Sequence, residues 1–128
     1  MVTIKSYTDI EQSRKLAEIL PIESADMCYR IVAYNPNDTH EYQPYCFVGT
    51  LESDIPCLSL AALLNALPIS IDEGQHCLAL INSNPNGNIE WLCCYEDNNG
   101  NLMMECYADN QVDACVKMIY KLKERNLL

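Results

Sequence analysis

A chain of 128 residues, 49% of them apolar and spread along its whole length, is long enough to bury one core and too short for two, which excludes a disordered tail and predicts a single domain over residues 1–128. Its formal net charge of −10 disfavours ordinary nucleic-acid binding, because that affinity comes mostly from Lys and Arg displacing counterions from phosphates. The opening MVTIKSYTDIEQSRK has no apolar run of the secretory kind, and no window approaches the roughly 18 apolar residues of a membrane helix, so a soluble, cytoplasmic protein without a membrane partner is expected.

The first element is a helix. Thr8 and Glu11 stand at capping-box spacing, Ile10, Leu16, Ala17, Ile19 and Leu20 supply an apolar face, and Pro21 ends it by Leu20. A polar link over residues 23–26 follows. Residues 27–34 (MCYRIVAY) are rich in β-branched and aromatic side chains and read as a strand, residues 35–44 as loop, and residues 45–51 as an edge strand weakened by Gly49. Ser59 caps a second helix in which Leu60, Leu63, Leu64 and Leu67 recur before Pro68, with Asn65 turned to solvent.

From Gln75 onward the pattern changes to alternation. HCLALIN, a turn at residues 84–87, IEWLCCYE, a turn at residues 97–100 and NLMMECYA predict an antiparallel meander. Asn110 and Asp113 mark the start of a last helix, with Val112, Cys115, Val116, Ile119 and Leu122 on one face and Lys117, Lys121 and Lys123 toward the end where the dipole favours cations. The expected fold is α+β: an antiparallel sheet, made of the three-stranded C-terminal meander plus one or two further strands, packed by three helices.

Eight cysteines without an export signal read as thiols, and Cys28, Cys46, Cys57, Cys77, Cys106 and Cys115, lying among apolar neighbours, read as small core residues. No C-x-x-C or H-x-x-x-H pair occurs, and Cys93 and Cys94, adjacent on a strand, point to opposite faces, so no metal is expected. Cys57, just ahead of a helix, is the best placed thiol for a nucleophile, yet only His40 and His76 could act as its base, and a residue packed beneath the helix is the better reading. Phosphate-binding glycine loops and the G-x-S-x-G elbow are missing from the sequence, and carboxylate pairs such as Asp72-Glu73 and Glu96-Asp97 lie in turns. These readings predict a protein that is not an enzyme, with no catalytic residue and no cofactor.

Two features are unusual. Between residues 32 and 116 there is no Lys or Arg, so the middle of the chain is either a solvated acidic surface or a face that repels or mimics nucleic acid. Eight tyrosines stand against one phenylalanine, and Tyr29, Tyr34, Tyr42, Tyr45, Tyr95 and Tyr107, with Trp91, form either a recognition surface or the ordinary half-buried side of a sheet.

Three stretches, DIEQSRKLAEILPIESADM, IPCLSLAALLNALP and the ending YADNQVDACVKMIYKLKERNLL, cover a little under half of the chain. In them the sequence resembles a family of small acidic proteins of unknown function common in gut Bacteroides-type genomes and in their phages and mobile elements. It departs from that pattern at Leu58, where the family usually has Trp, and at Gln111, where it usually has Pro. The resemblance implies a cytoplasmic protein of a kind often carried by mobile DNA and implies no chemistry.

Function therefore reads as binding. One expectation is an accessory factor that sequesters a small host molecule, such as a nucleotide-derived immune signal, with Arg14, Lys15 and Arg30 as cations for a phosphate, pooled by a homo-oligomer where one chain has too few. Another is an acidic protein that binds and inhibits a host protein, and a third is a housekeeping module. The candidate binding residues are Glu23, Ser24 and Asp26 in the polar link and Tyr29 and Arg30 on the strand after it.

Overall fold

Alternation in the C-terminal third and helical spacing on either side of it are strong local signals. In the computed structural model, which describes residues 4–83, 87 and 90–128, they become the larger of two layers. Among the described residues the chain forms α1 (Ile10–Ala17), β1 (Met27–Ala33), β2 (Glu41–Tyr45), β3 (Ile55–Cys57), α2 (Leu60–Ala66), β4 (Ser70–Ile71), β5 (His76–Ser83), β6 (Glu90–Glu96), β7 (Leu102–Ala108) and α3 (Gln111–Glu124), with 3₁₀ turns at Ile22–Ser24 and Pro36–Asp38. The arrangement is α+β, as the sequence predicts. Its strands divide between two antiparallel sheets, one ordered β2-β1-β3 and the other β4-β5-β6-β7.

In the four-stranded sheet Leu78, Leu80, Trp91, Cys93, Tyr95, Met104 and Cys106 share one face. Val112, Cys115, Val116, Ile119 and Leu122 of α3 and Leu63 and Leu67 at α2 cover it. Tyr95 is fully buried and its hydroxyl donates to the Pro68 carbonyl at 2.7 Å, so its polar tip is satisfied inside the core. The β6–β7 turn closes as expected: the Asp97 carboxylate accepts from the Asn99 and Asn101 amides, and Gly100 takes φ +80, which a glycine adopts without strain. The predicted turn at residues 84–87 lies, apart from Gly87, outside the described residues. Asn110 caps α3 by accepting from the Asp113 amide at 2.8 Å.

The three-stranded sheet has a smaller apolar cluster of Met27, Tyr29, Ile55 and Cys57, against which Tyr7, Ile10 and Tyr42 pack. Helix α1 spans both clusters, with Ile10 on the smaller and Leu16 in the larger. Buried Thr8 joins them. Its amide donates to the Leu58 carbonyl (2.9 Å), its hydroxyl accepts from the Leu58 amide (3.2 Å) and bonds Ser13 Oγ (2.7 Å), and its carbonyl accepts from the Tyr29 hydroxyl (2.7 Å).

Because Thr8 is committed in this way, the α1 cap falls one residue later than expected: Asp9 accepts from the Gln12 amide, and Gln12 Oε1 accepts from the Asp9 amide. The stretch expected to be loop up to Pro44 contains β2, and Pro44 is tolerated there because β2 is an edge strand. No strand runs from 45 to 51 beyond Tyr45; residues 46–54 instead bend back over the sheet. Strands β3 and β4, of three and two residues, are too short to carry a period. Cys46 and Cys77 are exposed, contrary to the core reading, while Cys28, Cys57, Cys106 and Cys115 are buried. The tyrosines do not gather on one surface: Tyr29 and Tyr95 are buried in different sheets, and Tyr34 and Tyr107 are exposed on different sheets' surroundings.

Candidate functional site

One face of the three-stranded sheet packs on α1; the other, bearing Cys28, Arg30 and Pro56, is roofed by residues 46–54. The roof is pinned by Asp54, whose side chain is only 3% exposed. Arg30 grips it with a two-pronged contact, Nε to Oδ1 at 3.0 Å and Nη2 to Oδ2 at 2.8 Å, and the Leu51 amide donates to Oδ2 at 3.0 Å. The Arg30 guanidinium also lies 5.0 Å from the centre of the Phe47 ring. Bonded by Arg30, and secondarily by the Leu51 amide, the Asp54 carboxyl is held below its ordinary value in spite of burial. Gly49 passes so close to Asp54 that a Cβ would sit 2.6 Å from Asp54 Cβ, which explains a glycine in a stretch that otherwise reads as strand.

Between roof and sheet lies a cleft of about 380 Å³, with Ala25, Met27, Cys28 and Pro56 as floor and Ile22, Val48 and Leu51 around the opening. A second hollow of about 210 Å³, reaching to Leu16, Leu20 and Leu58, shares Ile22, Ala25 and Pro56 with it. Ile22, Val48 and Leu51 are 58%, 54% and 53% exposed, a concentration of bare aliphatic side chains at one opening. The charged residues of the lining are Glu52 and Asp54, both acids. Burial, followed by the nearby Asp54 charge, pushes the Cys28 thiol up, so the floor offers a small apolar contact and not a thiolate.

The five sequence-predicted residues do not line this cleft. Glu23 is exposed on the 3₁₀ turn beside Ile22, and half-buried Ser24 borders a different hollow near Ile69 and Leu128. Asp26 accepts from both the amide and the hydroxyl of Ser59, whose oxygen in turn accepts from the Ala62 amide, so Asp26 steadies the α2 cap. Tyr29 is buried on the opposite side of β1, bonded to Thr8, and burial pushes its hydroxyl pKa up. Arg30 meets the roof through Asp54 and Phe47 and does not itself line the cleft. The residues that were missed, Ile22, Val48 and Leu51, are apolar, and an aliphatic residue in a polar link is a weak signal that polarity-based reasoning passes over.

The three expected phosphate cations do not converge. Arg14 lies over the Tyr42 ring at 5.6 Å, Lys15 over the Tyr120 ring at 4.3 Å, and Arg30 is held by Asp54 on the other side of β1. Cys57 sits on β3 with no exposure, within 3.6 Å of the Thr8 hydroxyl, and burial raises its pKa, the opposite of what a nucleophile requires. Cys93 is also pushed up, first by its hydrogen bond with Cys115 and then by burial in the larger core. Among the described residues no three metal-binding side chains gather, and no helix is long and apolar enough to cross a membrane. Comparison with family models, with curated proteins and with solved structures finds no match to this chain.

Proposed function

We propose that the protein is a non-enzymatic, cytoplasmic binding protein, a phage or mobile-element accessory factor, that sequesters a small host molecule in the cleft between β1 and residues 46–54. The observation that carries this reading is the cleft itself, about 380 Å³ with three exposed aliphatic side chains at its opening, within the size range of small-molecule sites. Its lining favours a ligand with an apolar body and a neutral or cationic head. A phosphate-bearing, nucleotide-derived signal fits less well, because the nearby guanidinium of Arg30 is already paired with Asp54.

Native mass spectrometry after incubation with bacterial lysate tests the reading. An added mass of a few hundred daltons on the wild type, lost in Leu51→Asp while the far-UV circular dichroism is unchanged, is the expected result. An adduct retained in Leu51→Asp places the ligand elsewhere, and no adduct removes the support for sequestration.

A second reading, that the chain binds and inhibits a host protein, is favoured by the absence of Lys and Arg between residues 32 and 116, where the strands of both sheets lie apart from most of β1. It predicts an affinity that weakens as salt rises, since exposed charges are screened beyond roughly 10 Å at 0.1 M.

A further inference from the structure

An antiparallel sheet covered on one face normally turns polar residues outward on the other. The four-stranded sheet does so only in part. β6 reads Glu90-Trp91-Leu92-Cys93-Cys94-Tyr95-Glu96, five apolar residues in succession, the pattern of a strand covered on both sides. Trp91, Cys93 and Tyr95 face α2 and α3. Leu92 and Cys94 face away, and the pairing register sets Ile81, Leu92 and Tyr107 in one row across three strands and Ala79, Cys94 and Glu105 in the next. On this outer side Leu92 and Cys94 are themselves buried, while Ile81, Met103 and Tyr107 are 38%, 44% and 41% exposed.

We propose that this outer face docks a basic amphipathic helix of a partner protein. The inference rests on the protein-binding reading and not on the cleft, which lies on the other sheet. Charge selects the partner. The ionisable side chains of the outer positions of β6 and β7 include Glu90, Glu96 and Glu105 and no cation, because the whole sheet falls in the segment without Lys or Arg. Stacking a second copy face to face would set these carboxylates against their own kind, whereas Lys or Arg flanking an apolar stripe would meet them favourably.

Geometry selects a helix over an added strand. Along β7 strand addition is blocked, because Lys117 and Lys121 of α3 reach across that edge and donate to the carbonyls of Tyr107 (2.7 Å) and Glu105 (3.3 Å); on the opposite side β4 pairs only with His76 and Cys77 of β5, and a strand added beside residues 79–83 would leave Leu92, Met103 and Tyr107 uncovered. An occupant that covers them must lie on the face. β6 has seven residues, a span of about 23 Å at roughly 3.3 Å each, which a helix of about 15 residues matches at roughly 1.5 Å each.

The test is an NMR titration of the whole protein with three synthetic peptides of that length: an amphipathic Leu/Lys helix, its Leu/Glu counterpart, and a scrambled Leu/Lys peptide with no apolar stripe. The expected result is perturbation of the amides of Ile81, Leu92, Met103 and Tyr107 by the Leu/Lys helix alone. Affinity should fall about tenfold or more in Ile81→Lys and in the milder Met103→Gln, and stay unchanged in the cleft variant Leu51→Asp. Equal binding of the scrambled peptide, perturbation centred on Ile22 and Leu51, or no binding overturns the proposal. So does sedimentation showing a dimer that Ile81→Lys dissolves, since the face would then belong to a second copy. A failure here leaves the cleft reading standing, and an empty cleft leaves this one standing.

Discussion

The four-stranded sheet is stabilised by quantity: inward side chains from each of its strands lie under α2 and α3, and the helix face from Val112 to Leu122 is buried along its length. The three-stranded sheet is stabilised by a few specific bonds. Its apolar cluster has four buried members, and what holds it to the rest of the chain is Thr8, with hydrogen bonds to Leu58, Ser13 and Tyr29, while Asp54 and Arg30 hold its roof. Burial by area tolerates some imprecision, but a polar joint does not, since one lost partner strands another group without water. The part of the molecule that carries the cleft is thus the part with the least redundancy.

This contrast can be broken from either side. The largest effect is expected in the big core, where Leu122→Ala removes a side chain with no exposure and should lower unfolding free energy by about 3 kcal/mol, read by urea denaturation. Thr8→Val keeps the volume near constant but strands the Leu58 amide and Ser13; a loss of about 2 kcal/mol, with faster hydrogen exchange at Leu58, is expected. If Thr8→Val costs only a few tenths, the joint is not what holds the two clusters together. Asn110→Ala removes the α3 cap and should cost about 1 kcal/mol.

The smallest global effect is expected at Asp54→Asn, which weakens the Arg30 clamp over the cleft. Overall stability should change little, while proteolysis within residues 46–54 and amide exchange at Leu51 accelerate several-fold. The pH dependence has a definite sign. The Asp54 carboxyl titrates lower in the folded protein than in the unfolded chain, so its pinning of the roof is present above about pH 4 and is lost as the pH falls through the lower folded value. Protease sensitivity of residues 46–54 should rise on acidification in the wild type. In Asp54→Asn it should already be high and should vary less with pH.

Much of the larger layer was legible. Asn110 and Asp113 stand at capping distance, Val112 through Leu122 repeat with helical spacing, and Asp97 through Gly100 is a turn in almost any context, because each of these signals is local. The cleft was not legible. Glu23, Ser24, Asp26, Tyr29 and Arg30 drew notice as polar or aromatic groups, while the cleft is lined by apolar residues beside and between them, Ile22, Ala25, Met27 and Cys28.

Sequence by itself determined the α+β class, the three helices and the meander, since helix caps, turn residues and side-chain periodicity act over a few residues and need no distant partner. Only the tertiary structure decided that the strands divide into two sheets, that β3 exists, that Thr8 is a joint and not a cap, and that Arg30 meets Asp54 to roof a cleft. Each of these depends on contacts between residues far apart in the chain, as between Thr8 and Leu58 or Arg30 and Asp54, and no local pattern encodes such a pairing.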